Sequence, residues 1–181
     1  MTETESVYFY CISQPGGGNI MKVAIVMGSE SDFSVVERGL NVLKEFGVET
    51  EVRIISAHRT PDKAVEFGKG AEELGIEVII AAAGKAAHLG GVLAAVSIVP
   101  VIGLPIKSST LDGLDSLLSI VQMPKGIPVA TVAIDGAENA ALLAIQILSL
   151  KYEDLRKKLK EYREKMAKEV EEKDRELQKR L

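Results

Sequence analysis

A chain of 181 residues with 46% hydrophobic and 27% charged side chains carries enough apolar material for one substantial core and lacks the composition of a disordered or membrane protein. Its formal net charge of -4 offers no basic footprint for nucleic acid or anionic lipid, so cationic residues must act locally. Aromatic residues make up 4% and tryptophan is absent, which disfavours a base-stacking platform, and the single cysteine, Cys11, has no internal partner.

Residues 1–20 are acidic at the front, contain only the short apolar stretch Val7 to Ile12, and end in Pro15-Gly16-Gly17-Gly18. With no basic leader and too short an apolar core, this segment is not a signal peptide and is expected to be a disordered extension, Met21 being a plausible natural start. The lone cysteine and the missing secretion signal together predict a cytoplasmic protein.

From Met21 onward, apolar strand-like runs alternate with segments of helical period, the pattern of a parallel sheet covered by helices on both faces. Strands are expected near 22–27, 50–55, 77–82, 99–103 and 127–132. Between the first two, Val35, Val36, Leu40, Leu43 and Phe46 fall at helical spacing within 31–46, and Gly47 marks the stop. Pro61 opens a second helix over 61–74, at a position where its missing N–H costs nothing. The Ala/Leu/Ile-rich segment 138–150 predicts a helix buried on most sides. The pattern as a whole predicts a flavodoxin-like three-layer αβα sandwich over 21–150, with ligands bound at the carboxyl ends of the strands.

The last segment, 151–181, differs. Tyr152, Leu155, Leu159, Tyr162 and Met166 recur every three or four residues in a highly charged background, which predicts a long protruding amphipathic helix. Such a helix can fold back on its own domain, but its length and narrow stripe favour packing against another subunit.

The loops after the strands carry the chemistry. After the first strand, Gly28-Ser29-Glu30-Ser31-Asp32 sets exposed N–H groups and small hydroxyls at a helix start, which suits an anion such as phosphate, although Ser31 or Asp32 could simply be an N-cap. The loop has neither the GxGxxG nor the GxxxxGK(S/T) pattern, so a sugar phosphate or mononucleotide fits better than NAD or ATP. The only two histidines, His58 and His88, both follow β-branched runs, and their ordinary pKa near neutrality invites an acid–base reading against the alternative of a loop-capping or core hydrogen bond. Arg59, beside His58, can grip a phosphate bidentately. The third loop, 81–91, is nearly free of bulky side chains except Lys85, which permits close approach of a ligand or tight helix packing. No residue cluster has metal-ligand spacing, and no serine sits in a GxSxG elbow.

Taken together, Gly28-Ser29-Glu30-Ser31-Asp32, Ser56-Ala57-His58-Arg59-Thr60-Pro61, Ala86-Ala87-His88-Leu89 and Ser119-Ile120-Val121-Gln122-Met123-Pro124 closely resemble the PurE family, the N5-carboxyaminoimidazole ribonucleotide mutases of purine biosynthesis. Pro128-Val129-Ala130-Thr131 and Asn139-Ala140-Ala141-Leu142-Leu143 extend the resemblance, which covers about residues 22–150. It implies a cofactor-free transfer of a carboxylate from the exocyclic nitrogen of aminoimidazole ribonucleotide to ring carbon 4. It further implies that Ser29, Ser31, Asp32, Ser56 and Arg59 bind substrate, with Arg59, Ser31 and Ser56 around phosphate and Asp32 on the ribose. His58 would be the proton carrier, and Gly84, His88 and Leu89 would line the wall around imidazole and carbon dioxide. The resemblance also implies a homo-octamer whose C-terminal helices embrace neighbouring subunits, with no nucleic-acid or membrane partner.

Two positions depart from the Gly-Gly-Ala-Ala-His-Leu-Pro-Gly usual in the bacterial mutases: Lys85 replaces the second glycine and Gly90 the proline. The related carboxylases, which use aminoimidazole ribonucleotide and carbon dioxide directly, diverge in this loop and typically lose its Ala-His-Leu core. Ala87-His88-Leu89 therefore favours a bacterial-type mutase, while Lys85 keeps direct carboxylation open. A non-catalytic nucleotide-binding module is the reading of a different class. Met27 and Ala82 give it no acidic phosphate-receiver cluster, and the loops lack the aromatics a flavin would need.

Overall fold

The computed structural model describes residues 21–109 and 111–181, so the expectations for the first 20 residues, Cys11 included, lie outside the described residues. Five parallel strands form one sheet in the order β2-β1-β3-β4-β5: β1 is Lys22–Met27, β2 Glu49–Ile54, β3 Val78–Gly84, β4 Val101–Ile106 and β5 Ala130–Thr131. The central strands are apolar on both faces because both faces are covered. In β1, Val23, Ile25 and Met27 enter the core on one side and Ala24 and Val26 the core on the other, none more than 3% exposed.

The first side is covered by α1 (Phe33–Phe46), α5 (Ala137–Leu148) and the start of α6 (Glu153–Gln178); the second is covered by α2 (Pro61–Gly70) and α3 (Leu89–Val96), with Ile120 of α4 (Leu114–Val121). Helices α1 and α5 pack closely through small residues: a Cβ added at Gly39 would stand 2.7 Å from the Ala137 carbonyl oxygen. The predicted three-layer sandwich is thus observed, with adjusted bounds. β5 is a two-residue strand rather than the six expected over 127–132, and α2 ends at Gly70, four residues before the expected stop, in a turn that reaches Gly75 with φ of +72°.

The chain passes from β1 out to β2 on one side and later fills β3 on the other, so the carboxyl ends of β1, β2 and β3 converge where the strand order reverses. At this switch point Gly28 N–H donates to the Ala82 carbonyl at 3.1 Å, tying the loop after β1 to β3.

The first turns of helix α6 fold back on its own domain. Leu155 is buried in the chain's own core, and Tyr152, Leu159 and Tyr162 pack half-buried against it. The Phe46 and Tyr162 rings lie 5.7 Å apart, and Lys158 Nζ donates to the Phe46 carbonyl at 2.8 Å. From Arg163 onward every residue is exposed, Met166 among them. Among the described residues, no helix is long and apolar enough to cross a membrane.

Candidate active site

Three loops meet above the switch point. The loop after β1 begins with Gly28 and Ser29, then makes one 3-10 turn over Glu30–Asp32 before α1. Ser29 caps this turn: its Oγ accepts from Ser31 N–H at 3.4 Å and from Ser31 Oγ at 2.9 Å. Asp32 occupies the N-cap position of α1 but makes no side-chain cap bond to it. Asp32 is buried, and its Oδ1 lies 3.4 Å from the Ser31 hydroxyl, which can turn its one proton to either Ser29 or this carboxylate. Burial raises its pKa above the ordinary value, partly offset by hydrogen bonds from the Ser31 side chain and the Ser29 backbone.

The loop after β2 is pinned by a residue that the sequence reading passed over. The Thr60 hydroxyl donates to the Ser56 carbonyl at 3.0 Å and accepts from Ser56 N–H at 3.1 Å, while Thr60 N–H donates to the same carbonyl at 2.8 Å. A Ser followed four residues later by Thr-Pro at a helix start is the available signal, since a hydroxyl there can close the turn on itself. The closed turn directs Ser56 Oγ toward Arg59, accepting from its backbone N–H at 3.2 Å and its Nε at 3.4 Å. Arg59 Nη2 donates to the Gly28 carbonyl at 3.1 Å. The guanidinium is thereby held over the loop after β1, exposed to solvent.

His58 and His88 come together. Nε2 of His58 lies 2.9 Å from Nδ1 of His88, and the rings meet edge to face with centroids 5.0 Å apart. A bond between two ring nitrogens requires that one donate and the other accept, so the pair holds a proton between two imidazoles, both exposed.

His88 is placed by its own loop. Gly84 ends β3 half-buried beside Ile106, whose carbonyl oxygen would stand 3.4 Å from an added Cβ. Lys85 follows with φ of +56°, the left-handed region that glycine adopts most easily. Its exposed position at the family's second glycine therefore costs backbone strain. His88 N–H donates to the Ala86 carbonyl at 2.8 Å, and the His88 carbonyl accepts from Val92 N–H at 3.0 Å, starting α3. Leu89, expected to line the wall, is instead 2% exposed within the second core cluster, anchoring His88 from below. Gly90 sits in the first turn of α3, with 3.6 Å to Ala81 Cβ and Val129 Cγ1 from an added Cβ, so a larger residue would also fit. No group of three or more His, Cys, Asp or Glu able to hold a metal ion occurs among the described residues.

Three loops at a parallel sheet's switch point, carrying an imidazole pair, a guanidinium and a hydroxyl-rich helix start, mark a flavodoxin-like α/β protein of enzyme type. The chain belongs to the family described as AIR carboxylase, whose model matches residues 22–169. It is 60% identical over 156 residues to an N5-carboxyaminoimidazole ribonucleotide mutase of Pyrococcus horikoshii, covering 86% of this chain and 88% of that one. It is 58% identical over 152 residues to the protein of that name from Thermotoga maritima, covering 84% and 89%. The crystal structure of Treponema denticola PurE superposes with a TM-score of 0.80 at 35% identity, covering 86% of this chain and 98% of that one.

Proposed function

We propose that this protein is an enzyme that converts N5-carboxyaminoimidazole ribonucleotide to 4-carboxy-5-aminoimidazole ribonucleotide in purine (IMP) biosynthesis. The observation that carries the reading is the imidazole pair beside Arg59: an acid–base group next to a fixed cation, at the carboxyl ends of the strands. Relatives named as mutases at 58–60% identity support the same activity. Retention of Ala87-His88-Leu89 supports the bacterial-type mutase over direct carboxylation.

In this reading Ser29 is part of the substrate-binding set, Arg59, Ser31 and Ser56 receive the phosphate, and Asp32 receives the ribose. His58 gives its proton to the exocyclic nitrogen as the N–C bond to the carboxylate breaks, releasing carbon dioxide. Ring carbon 4, enamine-like, then attacks that carbon dioxide, forming the new C–C bond, and its proton returns to His58. One imidazole gives and regains one proton, an effect worth about 10²–10⁴-fold in rate. His88 holds the His58 ring in place. Confining carbon dioxide near carbon 4 raises its effective concentration. The cycle uses no cofactor.

The active species in this proposal is a cytoplasmic homo-octamer in which C-terminal helices embrace neighbouring subunits. The test supplies purified protein with the carbamate substrate and, separately, with aminoimidazole ribonucleotide plus bicarbonate. Turnover of the first is expected, and efficient turnover of the second alone would reassign the protein as a carboxylase.

A further inference from the structure

Besides the two histidines, the loops after β1, β2 and β3 carry two cationic side chains, Arg59 and Lys85. Arg59 is committed, since its guanidinium bonds to the Gly28 carbonyl and to Ser56 Oγ. Lys85 is not. Among the described residues its exposed side chain makes no hydrogen bond or ion pair, whereas Lys107, just past the end of β4, is held 3.3 Å from Asp112. The left-handed backbone of Lys85 costs strain that a glycine would avoid, and no contact of its side chain within the chain offsets that cost. Asp112 and Asp135 also have positive φ, but both spend their carboxylates on Lys107, one on its ammonium and the other on its N–H.

β3 runs two residues beyond Ala82, the partner of Met27, so Gly84 stands about 7 Å past the end of β1 at about 3.3 Å per residue. Lys85 leaves the sheet there, in a turn that His88 N–H closes on the Ala86 carbonyl. Three residues separate it from His88, so their Cα atoms are within about 11 Å, and a flexible four-carbon stem carries the ammonium toward the imidazole pair. In the function proposed above, on which this assignment rests, the ligand bears a phosphate and a carboxylate, and the carboxylate is transferred beside His58. Arg59 reaches back over the loop after β1, which leaves Lys85 as the cation on the His88 side. We infer that Lys85 binds the ligand's carboxylate and so sets a preference for carboxylated over uncarboxylated ribonucleotides.

The test is titration calorimetry on the full chain with two ligands, 4-carboxy-5-aminoimidazole ribonucleotide and aminoimidazole ribonucleotide, which share phosphate, ribose and ring and differ in the carboxylate. Lys85→Gln is expected to weaken the carboxylated ligand by about three- to tenfold and the other by less than about twofold, the range of one exposed ion pair. Lys85→Arg keeps the preference, and Lys85→Gly, which also removes the strain, loses it as Lys85→Gln does. Equal losses for both ligands, or no loss for either, would overturn the assignment while leaving the proposed function standing. The same selective loss in Lys107→Gln would also overturn it, by showing that any nearby cation suffices. A wild-type chain that binds neither ribonucleotide would remove the proposed function and this assignment together.

Discussion

His58 and His88 share a hydrogen bond of 2.9 Å although their strands are not neighbours: β1 lies between β2 and β3, and the two imidazoles bridge above its end. The pair is therefore a product of two loops held at a fixed separation by the strand between them. His58→Asn is expected to cut kcat by at least about 10²-fold with KM changed by less than about tenfold, because general acid–base transfer is lost while binding groups remain. His88→Asn is expected to lower kcat by a smaller factor, since it orients the ring without carrying the proton. Steady-state kinetics on the carbamate substrate check both, and a nearly active His58 variant would remove the central assignment.

Arg59→Ala is expected to weaken substrate binding by about 10–100-fold, the loss of charge-assisted hydrogen bonds worth about 1.5–3 kcal/mol. Titration calorimetry with the product measures it. Unchanged affinity would place the phosphate elsewhere.

Asp32 predicts a conflict between stability and binding. Burial raises its folded pKa above the unfolded value, so the native state holds the proton more tightly than the unfolded chain. Between the two values the native state binds more protons, and stability falls as pH rises; above both, the buried carboxylate remains a net cost. Asp32→Asn is expected to raise the melting temperature at neutral pH and to flatten the loss seen as pH rises from the unfolded carboxylate range, while reducing substrate affinity. Melting curves across that range in both proteins are the check; an Asn variant less stable at neutral pH would contradict the account.

Lys85 sits at φ of +56°, so Lys85→Gly is expected to stabilise the fold by about 1 kcal/mol by releasing left-handed strain, whereas Lys85→Ala retains the strain and should not. Denaturant titration of the two variants separates backbone conformation from loss of charge.

Removing everything after Leu150 takes away Leu155, Leu159 and Tyr162, which cover the core beside Phe46. Both stability and the proposed octamer are expected to be lost, whereas a cut after Arg163 keeps the buried turns and the fold. An octamer persisting in light scattering after the longer deletion would contradict the proposed role of the helix.

Much of the fold was legible because the relevant forces are periodic. Strands covered on both faces must be continuously apolar, and helices on a sheet must show an apolar face every three or four residues; β1, α1 and α5 state these rules plainly. β5 was overestimated because Ile127, Pro128 and Val129 are as apolar as a strand, yet only Ala130 and Thr131 pair with β4. The resemblance marked His58 and Arg59 and also implied a wall role for Leu89, but whether a side chain at a helix start faces the crevice or the core is decided by packing.

By itself, then, the order of residues determined the alternation of elements, the hydroxyl-rich and cationic loops, and the family they resemble, because local propensity and spacing act along the chain. Only the tertiary structure decided that His58 meets His88, that Arg59 reaches the Gly28 carbonyl, that Asp32 is buried, and that α6 is covered up to Tyr162 and bare beyond it. Those relationships join residues far apart in sequence. They arise from strand order and burial, which no local pattern encodes.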